Sequence, residues 1–269
     1  MKNVRVLDCT LRDGGRIIDC AFQNQEIKEI SQRLADAKID IIELGFLRDW
    51  RKVEYKGNST FFTDVDQIRP FVNRNKKNII YAAFVDFGMC DIDSLKPFDG
   101  TSIDAIRFGF TKKNYAEQKE EVLRWIDVIK EKGYKLFIQG VNSLNYSDRE
   151  LLELVDMINN VHPYSFGIVD TYGAMYMDDV DRLYGLIDHN MEPDICINFH
   201  SHNNYQLSFA FAQEVIKLSG TSNRQIIIDG TLGGIGKVAG NLNTELIVDY
   251  LVRKKYYDYE FEDILDMID

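Results

Sequence analysis

The chain has 269 residues, a net charge of −11 and a sequence pI near 4.9. An acidic chain without basic blocks is a poor match for nucleic acid or an anionic membrane surface, although a local arginine or bound cation can still favour a small anion. With 45% hydrophobic and 28% charged residues it has the composition of a soluble globular protein, and no apolar run approaches the ~18 residues of a membrane span.

Strand-like and helix-like segments alternate from the first residues. The apolar run 4–10 predicts a strand, followed by a helix over 25–38 with Ile27, Ile30, Leu34 and Ala37 at helical spacing. The spacing predicts a second strand over 40–46, a charged loop over 48–59 and a second helix over 64–73. Residues 78–87 follow as a strand, then a short helix near 92–98. The fourth strand is 105–110, and its helix, 116–132, carries Val122, Trp125, Ile126 and Ile129 on one face, with Gly133 as a C-terminal cap. The fifth strand is 135–141, and Ser147 with Glu150 forms a capping box for a helix through Val161. The last three rounds pair strands 164–170, 195–202 and 225–231 with helices 178–189, 207–219 and 243–254. A short acidic helix closes the chain from about residue 258.

Eight strand-then-helix rounds predict an α/β fold, a closed (β/α)₈ TIM barrel in a single domain over residues 1–269. An open doubly wound sheet would want a GxGxxG turn after the first strand, and RDGGRI is not one. Cys9, Cys20, Cys90 and Cys196 have no metal-type spacing, and the N-terminus lacks the apolar core of a secretion signal. A reducing, cytoplasmic setting is the expectation.

In such a barrel, functional side chains stand at the C-terminal ends of the strands. Arg12 and Asp13 fall there after the first strand, Glu43 in the second, Asp86 after the third and Arg107 in the fourth. Gln139 and Asn142 follow the fifth, Asp170, Thr171 and Tyr172 the sixth, and Asp229 the eighth. Asp86, Gln139, Asn142 and Asp229 equally suit buried polar groups or helix caps.

His200 and His202 are more specific. Residues at i and i+2 of a strand share a face, and two imidazoles on an inner face are simply explained by a shared divalent metal. Asp13, at the matching end of the first strand, would be the third ligand, leaving positions open for substrate and water. A solvated His-Ser-His turn is the alternative. The loop 230–241 has five glycines and suits a phosphate cradle, a lid or a tight connection, and its Asn241 is either a helix cap or a further ligand.

Four motifs, DCTLRDGG at 8–15, IIELGF at 41–46, HSHNN at 200–204 and AGNLNTE at 239–245, resemble in order and spacing the metal-dependent DRE-TIM metallolyase family. The likeness is greatest to its 4-hydroxy-2-oxovalerate aldolase-like members. The resemblance implies metal ligation by Asp13, His200, His202 and sometimes Asn241, an Arg12 that stabilises an enolate and a Glu43 that holds Arg12. It implies making or breaking a C–C bond beside a carbonyl, through an enolate held on the metal. Arg16 stands where several members carry glutamine or a histidine base, so the acid/base group is open. Tyr172 is one candidate, a stacked loop aromatic its alternative, and a metal-bound water another candidate.

The expected activity is therefore a divalent-metal-dependent lyase or aldolase acting on a small 2-oxo acid of the 4-hydroxy-2-oxo type. Mg²⁺ or Mn²⁺ is expected first and Zn²⁺ or Co²⁺ second, since this ligand set does not select sharply. Arg48, Arg107 and Lys237 are candidates for a distal anionic group, and Gln139 and Thr171 for other substrate contacts. No nucleic acid or membrane partner is expected, and a homo-oligomer is compatible with the sequence. A Claisen-type acyltransferase and a catalytically silent barrel used as a binding module are the competing readings.

Overall fold

The computed structural model describes residues 3–268. Within them the apolar runs become eight parallel strands: β1 (Val4–Asp8), β2 (Ile41–Leu47), β3 (Ile80–Asp86), β4 (Ala105–Thr111), β5 (Lys135–Val141), β6 (Ser165–Asp170), β7 (Cys196–Ser201) and β8 (Ile226–Gly230). Each pairs with the next, and β1 pairs with both β2 (Leu7 opposite Ile41) and β8 (Val4 opposite Ile226), which closes the barrel. Strands covered on both faces need apolar residues at nearly every position, which is why they read as runs and not as alternation.

The helices α1 (Asn24–Asp36), α2 (Lys112–Glu117), α3 (Lys119–Glu131), α4 (Asp148–Val161), α5 (Met177–Asn190), α6 (Ser208–Ser222), α7 (Thr244–Lys255) and α8 (Phe261–Leu265) follow in chain order. The longer ones bury an apolar stripe against the outside of the barrel, as Val122, Trp125, Ile126 and Ile129 of α3 do, whereas α2 buries no residue. Among the described residues, no helix is long and apolar enough to cross a membrane.

Three expectations about helices are corrected. Residues 64–73 form two 3₁₀ turns, Val65–Gln67 and Arg69–Phe71, instead of an α-helix, because Pro70 has no N–H to continue the ladder. Residues 92–98 keep only the 3₁₀ turn Ile92–Ser94. The helix expected over 116–132 starts earlier and breaks at Gln118, between α2 and α3. The loop after β2 also adds a two-residue strand, Phe61–Phe62, against Phe46 and Leu47.

Inside the barrel the chemistry changes abruptly. Leu7, Ile41, Ala82, Ala105, Phe137, Cys196 and Ile227 form an apolar floor. Two residues further along five of those strands, on the same inner face, stand Glu43, Arg107, Gln139, Asn198 and Asp229, all buried. On β6 the neighbouring position is Gly167, where a Cβ would lie 2.2 Å from Gln139 Oε1; the missing side chain makes room for the glutamine.

Candidate active site

β1 ends at Asp8, two residues short of expectation, and the carbonyl of Cys9 accepts from the N–H groups of Arg12, Asp13 and Gly14. This tight turn places Arg12 and Asp13 over the end of the barrel, beside the end of β7. There Asp13, His200 and His202 come together: all three are buried, and each offers a ligand atom within 4.8 Å of the others. Nδ1 of His200 faces Asp229 Oδ2 at 3.1 Å, and Nδ1 of His202 faces the Gly240 carbonyl at 3.2 Å. With Nδ1 donating to these acceptors, the Nε2 lone pair of each ring is left for a cation.

The electrostatics suit such a role. Burial alone would raise the Asp13 pKa, but Arg12, His200, His202 and the Asn241 amide outweigh it and hold the carboxyl well below the usual range. Burial, aided by repulsion from His200, pushes His202 down to about 4, so its imidazole is neutral at pH 7, the form that binds metal. Asn241 donates to Asp13 Oδ2 at 2.9 Å and to the Ile235 carbonyl at 3.0 Å, while its Oδ1 is buried without a hydrogen-bond partner. An unmatched buried oxygen beside three converging ligands fits a divalent cation.

The glycine-rich loop makes this packing possible. At Gly236 (φ +155) a Cβ would lie 2.1 Å from Asn241 Nδ2 and 3.3 Å from Asp13 Oδ2. Of the readings left open by sequence, the described contacts are those of a tight connection around Asn241.

Arg12 joins the cluster to the polar layer below. Its Nε donates to Glu43 Oε2 at 2.6 Å and an Nη to Asp13 Oδ1 at 2.7 Å, with its guanidinium carbon 4.7 Å from the Phe84 ring centroid. Glu43 Oε2 also accepts from Arg107 at 3.0 Å. Arg107, wholly buried, reaches on to Asn198 Oδ1 at 2.9 Å and to Asp229 Oδ2. Burial would raise the Asp229 pKa, but Arg107 and His200 lower it on balance. One continuous chain of polar contacts therefore runs from Arg12 through Glu43, Arg107 and Asp229 to His200.

These groups border one solvent-open cleft. Of the residues anticipated for substrate, Arg107, Gln139, Thr171 and Lys237 border it, whereas Arg48 does not and pairs with Asp86 at 3.0 Å. Arg107 lies at its floor with its guanidinium engaged, and Gln139 donates to Asn198 Oδ1 at 2.8 Å. Thr171 Oγ1 accepts from the Asn142 N–H at 2.8 Å. Tyr172 is not brought into the cleft wall; it is 55% exposed, with Lys237 Nζ 5.9 Å from its ring centroid. The structure adds Arg16, Phe84, Asp86, Val141 and Val169 to the wall and Asn198 to the layer beneath. Asn198 was detectable in the sequence, two residues before His200 on the same face, whereas an apolar wall residue carries no such signal.

The HMGL-like family profile matches residues 3–268. A 4-hydroxy-2-oxovalerate aldolase of Carboxydothermus hydrogenoformans is 26% identical over 258 residues, 95% of this chain and 72% of that protein. An oxaloacetate decarboxylase of Mycobacterium tuberculosis is 25% identical over 249 residues, 93% of this chain and 70% of that protein. The crystal structure of hydroxymethylglutaryl-CoA lyase from Pseudomonas aeruginosa shares the fold, with a TM-score of 0.75 at 14% identity, covering 98% of this chain and 90% of that one. The match over nearly the whole chain, on a closed barrel with these motifs at its mouth, places the protein in the HMGL-like family, the DRE-TIM class of lyases and aldolases.

Proposed function

We propose that this protein is a divalent-metal-dependent carbon–carbon lyase, an aldolase cleaving a small 4-hydroxy-2-oxo acid. The observation that supports it most is the meeting of the Asp13, His200 and His202 ligand atoms with the Arg12 guanidinium at one end of one cleft. A divalent ion held by Asp13, His200 and His202, with Asn241 in reach, would act as the Lewis acid that polarises the keto group, Mg²⁺ or Mn²⁺ being the first expectation.

The residues then divide the work. The substrate's C4 hydroxyl passes its proton to a water acting as base, the C3–C4 bond breaks to release an aldehyde, and the electron pair moves into the C2–C3 bond as an enolate. Arg12, fixed by Glu43, donates to the C2 oxygen as negative charge accumulates there. Protonation at C3 completes pyruvate. Arg16 presents only N–H donors to the cleft and no acceptor for the C4 proton. The apolar walls, buried Phe84 and Val169 with half-buried Val141, limit water around the enolate. Relatives named aldolase and decarboxylase both break a C–C bond, which agrees with this division.

The test is pyruvate release over a panel of 4-hydroxy-2-oxo acids with Mg²⁺ or Mn²⁺, repeated after chelation, beside a CoA-release assay with acyl-CoA and a 2-oxo acid. Chelator-sensitive pyruvate release supports the aldolase. CoA release alone would assign an acyltransferase, and neither activity from folded, metal-loaded protein would leave a binding module.

A further inference from the structure

The cations of the cleft wall are unequally neutralised. Arg12 and Arg107 are matched by Glu43 and Asp229 beneath them. Asp86 is matched from behind by Arg48, at 3.0 Å. Two cations remain. Arg16, its side chain 34% exposed, has Asp13 Oδ1, at 3.1 Å, as its one ion-pair partner among the described residues, and that oxygen already accepts from Arg12 at 2.7 Å. Lys237 borders the same cleft and has no ion-pair partner among the described residues.

Arg16 is also held in place. Its guanidinium carbon lies 4.7 Å from the Phe46 ring centroid, and that of Arg48 lies 4.2 Å from the same centroid. Two guanidiniums on one ring repel each other, and Arg16 is the more exposed of the two. Stacking leaves the planar Arg16 fork with little freedom to lose on binding a carboxylate. Lys237 comes from the loop whose Gly236 backbone lies against the other oxygen of Asp13, so the two cations enter the cleft from adjoining loops. In a chain of net charge −11, this is a local positive mouth above a neutralised floor.

We propose that the substrate is a dicarboxylate, a 2-oxo acid whose second, distal carboxylate is received by Arg16 and Lys237. The proposal rests on the 2-oxo acid reading above and narrows it. A substrate ending in a methyl group would leave Lys237 without an anion and Arg16 with only the Asp13 oxygen it shares with Arg12.

The experiment is calorimetric titration of the Mg²⁺-loaded protein with 2-oxoglutarate and with 2-oxopentanoate. The pair differ only in a terminal carboxylate against a methyl group, and neither has the C4 hydroxyl needed for cleavage. The expected result is about 10- to 100-fold tighter binding of 2-oxoglutarate, the scale of one or two charge-assisted hydrogen bonds. That ratio should shrink in both Arg16→Gln and Lys237→Gln, and Arg16→Lys should keep more of it than Arg16→Gln. Using the ratio removes any shared effect of the substitutions on metal occupancy through Asp13. Equal wild-type affinities, or a ratio intact in both glutamine variants, would overturn the proposal. Metal-dependent binding of both acids without preference removes the dicarboxylate reading alone; no metal-dependent binding of either removes the 2-oxo acid reading with it.

Discussion

Asp229 Oδ2 faces Nδ1 of His200 at 3.1 Å and also accepts from Arg107. The carboxylate thus fixes which nitrogen of His200 is turned toward Asp13. An amide in its place can no longer hold the imidazole by charge and leaves Arg107 with less compensation. Asp229→Asn should weaken divalent-metal binding by about 10- to 100-fold, the usual scale for a group that orients a metal ligand. Calorimetric titration with Mn²⁺ checks this, and unchanged affinity would show that packing alone orients His200.

Loss of a ligand should act more completely. Protein purified without chelator is expected to carry one divalent ion per chain, and His200→Ala should lose it. Elemental analysis of both proteins is the measurement. Equal metal content would remove the assignment of Asp13, His200 and His202 as its ligands.

Arg12→Lys should fold, keep its metal and lose about 10²–10³ in turnover, the cost of removing one donor to a developing oxyanion. Glu43→Gln should behave differently, because Glu43 Oε2 holds Arg107 at 3.0 Å as well as Arg12 at 2.6 Å. Its rate loss should be smaller, but its melting temperature should fall by several degrees, since a partly uncompensated buried arginine costs on the order of 3 kcal/mol. Rates, metal content and melting curves for the two variants separate these effects. A destabilised Arg12→Lys with activity falling only in proportion would show that Arg12 serves the fold.

Tyr172→Phe should retain turnover to within about twofold, an effect below about 0.5 kcal/mol on the barrier. More than half of this residue is exposed, and the cleft wall does not include it. A loss of a hundredfold in initial rate would place its hydroxyl at the reacting atoms after loop movement.

Asp8 gives a prediction about pH and stability. It accepts from the Thr10 N–H at 2.9 Å and the Thr244 hydroxyl at 2.6 Å, yet burial outweighs both and pushes its pKa up to about 6. Between about pH 4 and 6 the folded chain therefore binds more of this proton than the unfolded chain does, whose carboxyl titrates near 3.9. The sign follows: this contribution is present below about pH 4 and lost as pH rises through about 6. Melting curves of wild type and Asp8→Asn from pH 4 to 7 should diverge, the variant lacking the decline. A constant difference across that range would show that Asp8 does not titrate there.

Most of this architecture can be read from the chain because its carriers are local. A buried parallel strand is a short apolar run, and the residue that follows it sits at the mouth of the barrel. The His200–His202 spacing and the turn after Asp8 needed nothing more. The regions that differed depend on single residues acting against a pattern, as Pro70 does in 64–73, or on a break such as Gln118 inside an otherwise helical stretch. Arg107 was anticipated at the substrate but also spans the barrel to Glu43 and Asp229, residues 64 and 122 positions away. Spacing along the chain carries no trace of such a bridge. Arg16 was visible only as a departure from the family pattern; its stacking on Phe46 beside Arg48 is a fact of three dimensions.

The buried layer of Glu43, Arg107, Gln139, Asn198 and Asp229 has a consequence for how this protein can change. It ties strands on opposite sides of the barrel at the level just below the mouth, independently of the loops above. Loops grafted onto these strand ends would inherit an Arg12 and a His200 already set at a fixed separation. On the proposed function, new substrate preferences would arise by exchanging Arg16, Lys237 and their neighbours, while Arg12 and the proposed metal ligands stay in register.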